Sequence, residues 1–478
     1  MRSSSILLTF FILITNLVFA QSKTDKLNEI MTAYHNYNMF DGSVLVSENG
    51  KVIYQSAFGL ANREWNIPNK TDTKFMIGSI SKPFTAVLTL LQVQKGLINL
   101  DSTVSKYLPD FLGKPAGQVT IRQLLSHTSG IPNYDIIKDF FPRISRQNFT
   151  REDYIKIFMD SALAFEPGKK YYYSSWGYFT LGYIMEKVTG KTYADLMKDE
   201  IIDKLSMNST GSYFHTQIVN KRATGYDYSF GGYSSSDFRD QSNTMGTGDI
   251  YTTVEDIFKF EMALSNNTLL NKKITDEMFK PGVRPAQYGF GWFNKMFKYS
   301  LADSVASNFH LGMTEGFLSF IIRIPSKNSM VVLLCNSSPT DFFGITGNLV
   351  KVLYNLPVHL KQPVHKAVEK MIATQGAAKA IEFYKKVKAD TVHYYTDWIS
   401  MNFLADQLRA LKRYDDARII SENNVNEFPN KDLIMVTMGN IYLALNRKKD
   451  AITYYQKAIL LYPDNEEAKN RLKEIKLE

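Results

Sequence analysis

Residues 75–85 read Phe75-Met-Ile-Gly-Ser-Ile-Ser-Lys-Pro-Phe-Thr85, which places Ser79 three residues before Lys82. Pro83 suits the opening turn of a helix, where its missing N–H costs little. In such a turn Lys82, at i+3, shares a face with Ser79, and the serine hydroxyl lies near the positive end of the helix dipole. Two readings are open. Ser79 is a helix cap followed by a solvated lysine, or it is a nucleophile whose proton passes to a lysine kept neutral by burial. No other Ser-x-x-Lys occurs in the chain, so the rest of the sequence must supply the deciding partners.

Working outward, Gly42 to Ser47 and Lys51 to Phe58 are β-rich runs around Asn49-Gly50, a hairpin signal because both turn residues tolerate positive φ. A second pair, Gly316 to Ile324 and Met330 to Cys335, flanks Pro325-Ser-Lys-Asn328. Between the two pairs the pattern is largely helical, at Pro83–Lys95, Thr120–Leu125, Arg151–Ser161 and Gly177–Val188. Strands at both ends of a helical insert predict an antiparallel sheet assembled from the two ends, beside a helix-rich lobe. A cleft between such lobes suits a small substrate.

From about Pro363 the composition turns to helix formers with regular alanines. Ala405, Leu408, Ala417 and Pro429 recur as Gly439, Tyr442, Ala451 and Pro463, each 34 residues later. Small residues let paired helices approach and proline ends the second helix, a pattern that resembles tetratricopeptide repeats. Residues Gly376 to Val387 read as a degenerate preceding unit.

A chain of 478 residues has material for more than one core. The net charge of +9 carries no dense Lys/Arg run, and no zinc finger, phosphate loop or helix-turn-helix signature points to nucleic acid. Arg2, the apolar run Ile6 to Phe19 and Val18-Phe-Ala20 have the layout of a signal peptide cleaved after Ala20. That run is shorter than the ~20 residues of a membrane span, so no span is expected after cleavage. Cys335, the one cysteine, sits in an apolar strand pattern and reads as a buried hydrophobe.

Two further stretches offer chemistry. Glu166-Pro-Gly-Lys-Lys-Tyr-Tyr-Tyr-Ser-Ser175 puts Tyr173 in a loop between helices, as a packed phenol or as one that relays a proton to a leaving group. Asn308-Phe-His-Leu-Gly-Met-Thr-Glu-Gly-Phe317 precedes a predicted strand, with Gly312 and Gly316 allowing close backbone approach. In order along residues 31–356, these stretches resemble the serine β-lactamase and penicillin-binding-protein-like family, in its class C and esterase-like branch. "LLSHTSGIPNY" at Leu124–Tyr134, "GTGDIYTTVEDIFKF" at Gly246–Phe260 and "GKVIYQSAFGLAN" at Gly50–Asn62 add to the resemblance.

The resemblance implies an α/β (α+β) fold of the β-lactamase/transpeptidase type. An antiparallel sheet from N- and C-terminal strands is flanked by helices and a helical lobe, and an all-α tetratricopeptide-like domain follows. The expected divisions are a signal peptide at 1–20, a serine hydrolase domain at 21–358 and repeats at 359–478. By the same resemblance Ser79 forms an acyl-enzyme, Lys82 and Tyr173 manage its proton without either being assigned as the base, and the backbone N–H groups of Ser79 and Met313 form the oxyanion hole. Ser175, His310 and Gly312 fall at substrate-binding positions. Ser175 stands where the family's Tyr-x-Asn element has asparagine, and His310-Leu-Gly312 stands where it has Lys-Thr-Gly. Both departures weaken recognition of substrate carboxylates. The expected activity is therefore ester or amide hydrolysis by an exported, periplasmic or extracellular enzyme without metal or organic cofactor. Its expected partners are a small ester, amide or peptide substrate and a protein met by the repeats. A peptidoglycan D,D-peptidase and a catalytically silent ligand-binding scaffold are the alternatives. His127 reads as a turn residue, and Tyr226 and Trp292 as aromatics packed at the surface, with the border of the cleft as the alternative.

Overall fold

Asn49 and Gly50 take φ values of 52° and 72°, the left-handed conformations a tight hairpin demands. They join strand β1 (Gly42–Glu48) to β2 (Lys51–Phe58). The computed structural model describes residues 22–300, 302–337 and 340–477; the leader expected at residues 1–20 lies outside them. Four strands from the far end of the insert complete an antiparallel sheet: β3 (Phe293–Lys298), β4 (Ser304–Thr314), β5 (Phe317–Ile324) and β6 (Ser329–Cys335). The sheet order is β3-β4-β5-β6-β1-β2. The seam between the two ends is the β1–β6 pair, where Gly42 faces Cys335 and Val44 faces Leu333.

Alternate residues of these strands enter opposite cores. Leu45, Ile321, Val332 and Leu334 face the helical lobe. Val44, Val46, Ile322, Leu333 and Cys335 pack under helices α1 (Lys23–Asn36) and α4 (Phe342–Leu353). Burial on both faces explains the unbroken apolar run of β6. The predicted helices are present. α2 spans Ser81–Gln94, α3 spans Ser175–Thr189, and shorter helices run Ile121–Leu125 and Arg151–Met159. One element differs from expectation. His310-Leu-Gly312 does not precede a strand but lies within β4, because strand pairing with β5 extends back to Asn308. Interrupting glycine and exposed Met313 hide the alternation there.

Beyond residue 363 the described chain is helical apart from a short strand, Tyr394–Tyr395, paired with Gln362–Pro363: α5 (Val364–Gln375), α6 (Ala377–Val387), α7 (Trp398–Ala410), α8 (Tyr414–Glu427), α9 (Asp432–Ala444), α10 (Lys448–Leu461) and α11 (Glu466–Leu477). Each start of the α7–α8 pair is repeated 34 residues later by α9–α10. Gly439 shows why a small residue recurs. A Cβ there would lie 2.6 Å from the Tyr455 ring of the paired helix. The α5–α6 pair is the irregular unit, with only Gly376 between its helices. Among the described residues no helix is long and apolar enough to cross a membrane.

A hairpin from the sheet-bearing part, Tyr226–Ser229 with Gly232–Ser235, reaches this helical array. Phe230 at its tip is 5% exposed and joins the core of Val364, Val368, Ala380 and Leu404, with the Arg413 guanidinium 4.6 Å from its ring. Tyr228 donates its hydroxyl to Glu369, and Lys366 stands 4.2 Å over the Tyr228 ring.

Candidate active site

Ser79 occupies a single 3-10 turn, Gly78–Ile80, that feeds directly into α2. The turn is pinned from several sides. Ile77 N–H donates to Ile250 O at 3.0 Å, and Ser319 Oγ donates to Ile77 O at 2.7 Å. Ser81 Oγ accepts from Ile250 N–H at 3.2 Å. Gly78 has φ +49°, and a Cβ on it would meet Met313 N at 2.6 Å. Gly312 is as constrained, since its Cβ would overlap Ile77 O. Two glycines thus bring the backbone of β4 against the serine turn, which sets Met313 N beside the Gly78–Ser79 peptide.

Lys82 is fully buried. Its Nζ donates to Ser79 Oγ at 2.9 Å and to Thr247 O at 3.0 Å, and it forms no ion pair among the described residues. Burial pushes its pKa well below that of an ordinary lysine; the Arg239 charge adds to this and the Asp249 carboxylate opposes it. Asp249 is itself raised to about 6 by burial, so it loses its charge only below neutrality. Tyr173, half-buried, packs its ring 4.9 Å from Lys82 Nζ and meets the Ser79 hydroxyl. Desolvation raises the phenol well above its ordinary pKa, so it carries its proton at neutral pH.

Tyr173 is held by His127. The His127 carbonyl accepts from Tyr172 N–H at 2.9 Å, and its Nδ1 accepts from Ser174 N–H at 3.1 Å. The imidazole lies 4.3 Å from the Tyr173 ring. Burial drives the His127 pKa far down, and a neutral ring accepting at Nδ1 carries its proton on Nε2. His127 also takes φ +55°. The turn role read from the sequence is therefore joined by a direct grip on the segment around Tyr173.

His310 is 1% exposed. Its Nε2 pairs with Tyr288 Oη at 3.0 Å and its Nδ1 with Leu311 O at 2.6 Å. Burial and the nearby Lys82 lower its pKa to about 3. The ring thus backs the site from the interior as a neutral group and does not face the cleft. Ser175 begins α3, with its N–H donated to Asn133 Oδ1 at 3.1 Å and its side chain buried. Trp292 and Tyr226 are also buried. Tyr226 donates its hydroxyl to Glu64 and accepts from Arg63 N–H, so it packs inside rather than at a surface.

Several participants were not singled out from the sequence: Thr247, Tyr288, Asn133 and Arg239. Asn133 lies within "LLSHTSGIPNY" and Thr247 within "GTGDIYTTVEDIFKF", stretches whose resemblance was visible though the work of those side chains and carbonyls was not. Among the described residues no cluster of three or more His, Cys, Asp or Glu could hold a metal ion.

Residues 25–355 match the family described as Beta-lactamase, and residues 436–465 match the tetratricopeptide repeat. The chain belongs to the β-lactamase family. It is a β-lactamase-related serine hydrolase with a tetratricopeptide repeat near its C-terminus. A penicillin-binding protein of Bacillus subtilis (strain 168) is 30% identical over 337 residues, covering 66% of this chain and 72% of that protein. The teichoic acid D-alanine hydrolase of Staphylococcus aureus is 30% identical over 277 residues, covering 57% and 67%. Among solved structures, the D-amino acid amidase of Ochrobactrum anthropi SV3 complexed with L-phenylalanine amide aligns with a TM-score of 0.58 at 26% identity, covering 69% of this chain and 99% of that one.

Proposed function

We propose that this β-lactamase-related protein hydrolyses an ester or amide through an acyl-enzyme on Ser79. The observation that carries the reading is the fully buried Lys82 amine 2.9 Å from Ser79 Oγ, desolvated and without a carboxylate partner. In this reading neutral Lys82 accepts the Ser79 proton as Oγ attacks the carbonyl carbon. The developing oxyanion is received by the N–H groups of Ser79 and Met313. Tyr173, protonated and against Ser79, passes a proton to the departing alcohol or amine. Water then attacks the acyl carbon and gives its proton to the Tyr173 phenolate, while Lys82 returns to Ser79 the proton it took. His310 and Gly312 act from behind: the first orders Tyr288 and the second lets β4 close on the serine turn. Ser175 anchors the start of α3 next to Tyr173.

Relatives that include a teichoic acid D-alanine hydrolase and a D-amino acid amidase support an acyl group of amino-acid size. We further propose export through the leader at 1–20, a hydrolase unit at 21–358 and a repeat unit at 359–478 that meets a protein partner. The test is fluorophosphonate treatment of the mature protein followed by peptide mapping. The expected result is labelling at Ser79, abolished by Ser79→Ala and slowed by Lys82→Ala. A folded protein that takes no label would sink the proposal, and fast labelling by a fluorescent penicillin would move the substrate toward cell-wall peptides.

A further inference from the structure

The strand that flanks the serine turn supplies no cation to the cleft, because His310 is buried and neutral. A cation enters from another direction. Arg239 sits on the loop that leads from the Phe230 hairpin to Thr247, the residue whose carbonyl holds Lys82. That loop is fastened on both sides of the site. Asp240 N–H donates to Ser145 O at 2.8 Å, and Gln241 Nε2 donates to Glu315 Oε2 at 3.2 Å, two residues past Met313. On the opposite flank the Arg239 guanidinium lies 5.9 Å from the Tyr134 ring and 5.8 Å from the Phe141 ring. Tyr134 follows Asn133, which holds the N–H of Ser175 beside Tyr173. The guanidinium is thus bracketed by the Tyr173 side and the Met313 side of one cleft.

Arg239 enters no ion pair among the described residues, and its Nε is buried without an acceptor. Of the neighbouring carboxylates, Asp237 pairs with Arg146 at 2.8 Å and Asp240 is held by Asn148 and His215, while Glu315 accepts from Gln241 at Oε2, keeps Oε1 buried without a hydrogen-bond partner and feels the Arg239 charge without an ion-pair contact. Burial further raises the Glu315 pKa. The Tyr154 phenol also lies at the guanidinium, but it is neutral. A half-buried, aromatic-walled guanidinium with open donors suits a planar or tetrahedral oxyanion.

We propose that Arg239 is the specificity determinant of the Ser79 site, receiving an anionic group, carboxylate or phosphate, carried by the substrate near its scissile bond. The proposal rests on the hydrolase reading for its reaction and names the class of ester or amide that the site prefers. It also supplies, from outside the strand, a cation that the replacement of lysine by His310, expected to weaken recognition of substrate carboxylates, removes.

The test compares matched nitrophenyl esters. A glutarate monoester is set against the neutral pentanoate, a pentanoate of a carboxylated nitrophenol tests an anion on the leaving group, and a phosphate-bearing acyl ester separates phosphate from carboxylate. The wild-type protein is expected to favour at least one anionic member, and Arg239→Gln to lower that preference in kcat/KM by about 10-fold or more, as loss of a charge-assisted hydrogen bond implies. Arg239→Lys keeps part of it, since lysine retains charge but not the bidentate fork. Ratios within twofold of wild type in a variant that unfolds at the wild-type temperature would overturn the proposal. Should Arg239→Gln not fold, Arg239→Met, which also removes the charge, decides on the same criterion. Fluorophosphonate labelling separates the two failures: absence of label removes the hydrolase reading alone. Calorimetric titration with glutarate and with inorganic phosphate then judges Arg239. Binding lost in Arg239→Gln upholds it, and equal binding or none in wild type overturns it.

Discussion

A lysine shut away from water prefers to be neutral, and Lys82 is fully buried. Desolvation disfavours the ammonium form, so proton acceptance from Ser79 becomes available far below the pH at which a solvated lysine would offer it. The acylation rate is expected to rise with pH through this titration and then hold a plateau, because Tyr173 deprotonates only well above its ordinary value. Stopped-flow acylation over pH 5–10 checks this, and a rate that keeps climbing toward the pKa of an ordinary lysine would contradict it. The same burial has a stability signature. Between its folded and unfolded pKa values Lys82 binds fewer protons folded than unfolded, so stability rises with pH in that window by up to ~1.4 kcal/mol per unit. Lys82→Met should lack that slope in denaturant titrations at pH 7, 8 and 9. Equal slopes for the two proteins would mean that Lys82 stays charged.

At the scale of elements, the site depends on how closely β4 approaches the turn before α2. Gly78 combines φ +49° with a hypothetical Cβ 2.6–2.9 Å from three Met313 backbone atoms. Backbone atoms cannot move aside as a flexible side chain can. Gly78→Ala is therefore expected to displace the Met313 N–H and slow acylation by roughly 10²–10³-fold, the measured effect of losing one oxyanion donor elsewhere. Near-wild-type acylation of a folded Gly78→Ala protein would argue against Met313 in that role. The hairpin carrying Phe230 makes a separate prediction. Among the described residues its tip is the one ring that the sheet-bearing part contributes to the Val364–Leu404 core, so Phe230→Ala leaves a cavity that costs about 3–5 kcal/mol. The expected readout is earlier proteolytic release of the helical array. A digestion course identical to wild type would show that the array is held by other contacts. Arg239 follows this hairpin tip by nine residues, so one loop runs from the seat of the array to Thr247, whose carbonyl holds Lys82.

Across the whole molecule, much of the architecture was legible from local patterns. Asn49-Gly50 marked the first hairpin, the apolar run Met330–Cys335 marked a strand buried on both faces, and the 34-residue offset marked α7–α8 and α9–α10. Each of these rests on periodicity or turn chemistry, which neighbouring residues fix. Ser79 and Lys82 were legible for the same reason, being one helical turn apart. His310 was not: its type suggested a group facing substrate, yet Tyr288 and Leu311 hold it inside. Nor was Arg239 visible, since nothing in the loop from Phe230 to Thr247 tells an arginine with an ion pair from one without.

The sequence by itself therefore determined the two-ended sheet, the repeat spacing and the pairing of a serine with a lysine, all products of short-range geometry. Tertiary structure alone decided that Lys82 is desolvated, that His127 grips the Tyr173 segment, that His310 faces inward and that Arg239 enters no ion pair among the described residues. Burial and ion pairing are properties of what surrounds a residue, and those surroundings arrive from segments up to hundreds of residues away.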